Sequence, residues 1–283
     1  MEITLKNKIP NNNLKRPMYN TYLSKFNKIK TKNKKNIYLN LKYSDGAKYI
    51  NKKTELESLF IIAFKCINNK HIYFITLNSV NPNLEKYNEL QISEDKFQYL
   101  KNNLYPYSNN YNINDNGYIY IILNNTKSAM YNSFFLNKDD INNKLNNLIY
   151  NIRKYSQRKI FVKIHPKDTI LGLDIKIIDN YTKIIKDKID IFNNIYCCFI
   201  QNTRFIFEFV SKGIPVFNLN FYDNNYFNNI YLDIKDIEKI DINNLPDREE
   251  FLRYNYKFIY DEDYINDINK TKILFNDYNI QIN

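Results

Sequence analysis

The chain predicts an α/β protein built on a parallel sheet. From residue 118 onward, short continuous apolar runs alternate with stretches of helical period, the pattern of buried parallel strands joined by crossover helices. Hydrophobic residues make up 44% of 283 residues, enough for one large domain or two lobes with real cores. No repeat of fixed period interrupts this order. Asn, Lys, Ile and Tyr dominate while glycine is scarce (four) and tryptophan absent, a bias we assign to an A+T-rich coding sequence and not to function.

The elements follow in order. NIYLNLKY (36–43) alternates and is rich in β-branched and aromatic residues, so it reads as a strand, broken at Asp45-Gly46. TELESLFIIAFKCI (54–67) reads as a helix, with Thr54 as N-cap and Glu57 closing a capping box. HIYFITL (71–77) is a strand, and SEDKFQYLKNN (93–103) is a helix opened by Ser93 and two acids. Residues 104–117 are turn-rich and mark a domain boundary. YIYIILN (118–124) is a strand. NKDDINNKLNNLIYNIRKYS (137–156) is a helix with acids in its first turn and Arg153 and Lys154 in its last. KIFVKIH (159–165), IKIID (175–179) and NIYCCFI (194–200) read as strands. TRFIFEFVSKG (203–213) is a helix stopped by Gly213, and IPVFNLN (214–220) is a strand. The tail from Asp247 reads as mostly helical. The organisation is therefore a basic arm over 1–35, a small N-terminal α/β lobe over 36–117, and a C-terminal Rossmann-like lobe over 118–283.

Charge is concentrated in the arm. Residues 1–35 hold ten Lys and Arg against Glu2, a net +9 of the chain's +11. Such an arm suits an anionic surface of lipid, glycan or nucleic acid, or it is a plain solvated terminus. The nearly neutral body lacks the basic face of a nucleic-acid reader, so no nucleic acid is expected as partner. The three cysteines are odd in number and form no C-x-x-C pair, as buried thiols in a reducing compartment would be. Apolar runs such as LFIIAF are too short to span a bilayer. These features place the protein in the cytoplasm, with the inner face of the membrane as a peripheral surface.

Ligands of open α/β sheets bind outside the carboxyl ends of the strands. Three unusual features fall at such ends. His165-Pro166 closes one strand, between Lys163 and Lys167. Asn202, Thr203 and Arg204 open a helix, where backbone N–H groups favour a phosphate. Ser44-Asp45-Gly46 closes the first strand. Read singly, each has a plain alternative: a structural rim histidine, an ordinary helix cap, an ordinary turn. Two histidines and no thiolate cluster leave little for zinc, and Asp261-Glu262-Asp263 reads as helix-start charge. No P-loop or dinucleotide fingerprint occurs.

Together, YSDG, KIHPKD and QNTRF resemble the acidic, HP and Ser-Ser/Thr motifs of bacterial sialyltransferases that use CMP-sialic acid. NTRFIFEFVSKGIPVF is also similar to a segment of capsule Kdo transferases. Both families are GT-B-like, with two Rossmann-type lobes and parallel sheets, here with a reduced N-terminal lobe. The resemblance spans roughly 118–220. It departs at Ser44, where the family prefers an acid, and at Asn202-Thr203, where it prefers two hydroxyls. It implies transfer of an acidic sugar from a CMP donor to a glycan acceptor, lipooligosaccharide or capsule. By that likeness His165 faces the leaving phosphate and Asp45 deprotonates the acceptor. Pro166, Lys167, Asn202, Thr203 and Arg204 hold the donor, Glu208 its ribose, and no metal is needed. A UDP- or GDP-dependent GT-B transferase, a non-catalytic descendant and a nucleic-acid-binding protein using the arm remain the alternatives.

Overall fold

A computed structural model describes residues 59–67, 70–77, 91–124, 138–165, 176–185, 191–201, 205–221 and 230–261. The arm, the 36–43 segment and Asp45 lie outside them. The chain divides into two compact units, residues 1–92 with 255–283, and Ser93–Tyr254.

The first unit holds a three-stranded antiparallel sheet in the order β1 (Leu59–Ile67), β2 (Lys70–Leu77), β8 (Ile259–Asp261). The helix expected over 54–67 is therefore corrected: LFIIAFKCI is a strand. Its apolar run pairs with KHIYFITL in a register that closes at Ile67↔Lys70, and the cross-strand partners override the apparent capping box. The tail starts as the helix expected and then departs from it, and residues 262–283 lie outside the described residues. After helix α4 (Arg248–Tyr256) the chain forms β8 against β2. Ile72, Tyr73, Ile75, Ile259 and Tyr260 are buried in this sheet's unit.

The second unit is an α/β layer around five parallel strands in the order β5-β4-β3-β6-β7. These are β3 (Tyr118–Ile122), β4 (Ile160–Lys163), β5 (Thr182–Ile185), β6 (Ile195–Ile200) and β7 (Val216–Asn218). Four of them sit where the apolar runs predict, in one sheet. The central strands are buried on both faces: Ile119, Ile121, Cys197 and Cys198 are all inaccessible. Burial pushes both thiols well above their ordinary pKa, so they pack as small apolar side chains.

Helix α1 (Glu94–Asn103) is capped by Ser93, whose hydroxyl accepts from the Lys96 N–H at 3.3 Å, and it buries Phe97 and Leu100. Helix α2 (Lys138–Arg153) follows β3 and buries Ile141, Leu145, Leu148, Ile149 and Ile152, one stripe at helical spacing. Helix α3 (Ile206–Ser211) links β6 to β7. Its end is a Schellman turn: Ile214 N–H donates to Phe209 O at 3.0 Å and Gly213 N–H to Val210 O at 3.1 Å. Gly213 has φ of 75°, and a Cβ there would meet Asn110 O at 2.3 Å. Asn110 belongs to the 104–117 connector, which lies within this unit and is tied to it by Ser108 N–H to Ser211 O at 2.8 Å and Asn112 N–H to Gly213 O at 2.7 Å.

One expected strand is absent. Residues 176–179 of IKIID run beside α2, where Asn146 donates to Lys176 O at 2.8 Å and accepts from Ile178 N–H at 3.0 Å. Helix side chains satisfy the backbone groups that a ladder would have used. The true edge strand is Thr182–Ile185, paired to β4.

Candidate active site

The chain leaves β3 outward through β4 to β5, then returns to the other side of β3 as β6 and continues to β7. The strand order thus reverses between β3 and β6, and it is at the carboxyl ends beside such a reversal that open α/β sheets bind ligands. The residues just past the strands form this edge.

His165 stands immediately beyond β4. The Ile164 N–H donates to Ile185 O at 3.2 Å, the last sheet bond before the histidine, and Ile164 is buried while His165 is half-buried. The β3–β4 register, Ile122↔Lys163, continues to place Asn124 level with His165. Asn124 donates from Nδ2 to Gln201 O at 2.6 Å, across the switch point. Gln201 is fully buried, and its Oε1 accepts from the Phe221 N–H at 2.8 Å. One amide therefore joins the ends of β3 and β6, and a second joins β6 to the chain after β7. Asn218 turns that chain, its Oδ1 accepting from the Asn220 N–H at 3.1 Å, and Asn220 takes the left-handed conformation with φ of 53°. Asparagine tolerates that region better than most residues.

Among the described residues, those just past the strands at this edge are amides, with an imidazole at the rim. Amides fix the backbone without adding charge, and the imidazole can donate to, or protonate, an anionic group placed over this edge. Of the residues expected in a site, His165 is at this edge. Glu208 lies in the first turn of α3, half-buried, with its N–H on Phe205 O at 3.1 Å. Asp45, Pro166, Lys167, Asn202, Thr203 and Arg204 lie outside the described residues. Asn124, Gln201, Asn218 and Asn220 were not expected from the sequence. Their signal is an amide directly after a run of buried apolar residues.

No family model matches the chain, and no curated protein matches it in sequence. Among solved structures, the chain is similar to Thermosulfurimonas dismutans KpsC, a beta Kdo 2,4 transferase, at 13% identity and a TM-score of 0.46, over 78% of each chain. A likeness of that size carries no chemistry. Among the described residues no helix is long and apolar enough to cross a membrane.

Proposed function

We propose that the protein is a glycosyltransferase that moves an acidic sugar, sialic acid or Kdo, from a CMP-activated donor to a cell-surface glycan. The observation that supports this most is the position of His165, on the carboxyl edge at the end of the strand beside the β3–β6 switch point, where the HP motif of the resembled families would need it. In this reading the anomeric C–O bond breaks as CMP leaves, and the phosphate oxygen takes the electron pair. His165 donates a hydrogen bond or its proton to that oxygen. Pro166, with no N–H and a fixed φ, holds the ring at the rim, and Lys167 adds charge. Asn202, Thr203 and Arg204, ahead of α3 in the chain, complete the phosphate site, Glu208 takes the ribose hydroxyls, and Asp45 accepts the proton of the attacking hydroxyl. Donor charge is met by side chains and N–H groups, without a metal. The basic arm holds the enzyme on the inner face of an anionic membrane.

The test is nucleotide release from CMP-sialic acid, CMP-Kdo, UDP-glucose and GDP-mannose, with and without a glycan acceptor. The expected result is release from a CMP donor, faster with acceptor. Release from a UDP or GDP donor alone, or from none of the four, overturns the reading.

A further inference from the structure

A cleft of about 690 Å³, whose lining does not include His165, runs between α2 and the chain after β7. Lys144, Asn147, Asn151 and Lys154 line its helical flank at the spacing of one helix face. Ten residues separate the two lysines, so this flank is about 15 Å long. Asn218 and Asn220 line the cleft from the end of β7, and the stacked rings of Phe199 and Phe217, 5.0 Å apart, underlie it. The cleft is lined by apolar side chains and by amides, with two lysines along its helical flank.

Its charge is not neutralised within the lining. Among the described residues no carboxylate pairs with Lys144 or Lys154. Lys154 donates to Asn151 Oδ1 at 2.9 Å, which leaves the Asn151 amide NH₂ to serve as donor. Asp233, the acid of the lining, pairs with Lys235 at 3.0 Å and accepts from the Lys235 N–H at 3.1 Å. A nucleotide would need a phosphate cradle of backbone N–H groups. Lys144 to Lys154 instead covers the middle and end of α2, where those N–H groups bond within the helix. An amide offers a donor and an acceptor side by side, which matches neighbouring hydroxyls, and the spaced ammonium groups match carboxylates along a chain.

We infer that this cleft, whose lining does not include His165, binds a linear acidic oligosaccharide, several units long. The binding claim stands without the transfer reading. With it, the cleft becomes the track that holds the acceptor glycan.

The full-length protein is titrated with an oligomer of sialic acid, with maltohexaose as the neutral chain, and with CMP. The acidic oligomer should saturate a site that maltohexaose does not occupy and CMP does not empty. Lys144→Ala and Asn151→Ala should each weaken it by about tenfold, as lost charge-assisted or amide hydrogen bonds would. Lys144 is half-buried and Asn151 exposed on the helix flank, and both substitutions should leave the melting midpoint in place, while His165→Ala should leave the affinity unchanged. Equal affinity for maltohexaose, no saturable binding, or an affinity that neither cleft variant moves would overturn the inference. The last outcome also covers attachment through the basic arm alone. Displacement by CMP, or loss with His165→Ala, would transfer the oligomer to the His165 end of the carboxyl edge and overturn it as well. A protein that binds the oligomer but releases no nucleotide from any donor would lose the transfer reading and keep this one.

Discussion

At the amino edge of the five-stranded sheet, charged side chains tie the elements together. Arg153 reaches Asp179 at 2.8 Å and the Arg158 carbonyl at 2.6 Å. Arg158 pairs with Glu238 at 3.0 Å, donates to the Asp115 carbonyl and lies over the Tyr196 ring at 3.7 Å. The Tyr196 hydroxyl donates to Ile237 O at 2.7 Å. At the carboxyl edge the ties are amides: Asn124 to Gln201, and Gln201 to Phe221. Charges at the first edge are matched within the protein, so that edge stabilises. Among the described residues, the amides of the second hold the backbone, and charged ties and amide ties are thereby separated along the strand axis.

The largest effect expected on stability comes from the amino edge. Arg153→Ala removes the cation from Asp179, which is 19% exposed, and leaves the Arg158 carbonyl short of a donor. A loss of about 2–3 kcal/mol is expected in urea unfolding, with turnover per folded molecule retained. A loss of turnover without a loss of stability would erase the distinction between the edges.

The pH dependence sharpens it. Hydrogen bonds from Arg153, then from Thr182, hold the Asp179 carboxyl below its ordinary pKa of 3.8. A depressed carboxylate stabilises the fold fully above its unfolded pKa, and the contribution disappears as pH falls through the folded value. Wild type should therefore lose urea resistance below about pH 4, and Asp179→Asn should lose less of it over the same range. Equal losses would mean that the amino-edge ion pair is not coupled to folding.

The smallest effect is at the carboxyl edge. Asn124→Ala removes one amide bond across the switch point and should cost about 1 kcal/mol. Donor affinity should fall more clearly than stability, as read by CMP titration of the variant.

Both edges differ in how far the sequence displays them. The strands β3, β4, β6 and β7 are legible because strands buried on both faces read as unbroken β-branched and aromatic runs. LFIIAF is as apolar as any of them, but Thr54 and Glu57 ahead of it mimic a helix start, and only pairing with β2 decides the matter. IKIID has the composition of a strand, yet Asn142 and Asn146 of α2 take up its backbone groups, with Lys176 N–H on Asn142 Oδ1 at 3.3 Å. No local pattern contains that information. Three residues of β8 are too few for any periodicity. His165 stands out because the chain has only two histidines and a proline follows this one. Asn124 and Gln201 do not, since asparagine is so common in this chain that another one after a strand draws no notice. Their role becomes visible only when β6 returns beside β3.

The central claim is that the carboxyl edge performs chemistry through His165. It is tested most directly by measuring CMP release and the melting midpoint on the same preparations of wild type and His165→Ala. Turnover should fall by about 10²–10⁴-fold, the range for loss of a general acid, while the midpoint stays within a degree or two, because a half-buried rim imidazole packs few apolar neighbours. A lowered midpoint with activity intact in the folded fraction would contradict the account and make His165 a structural residue.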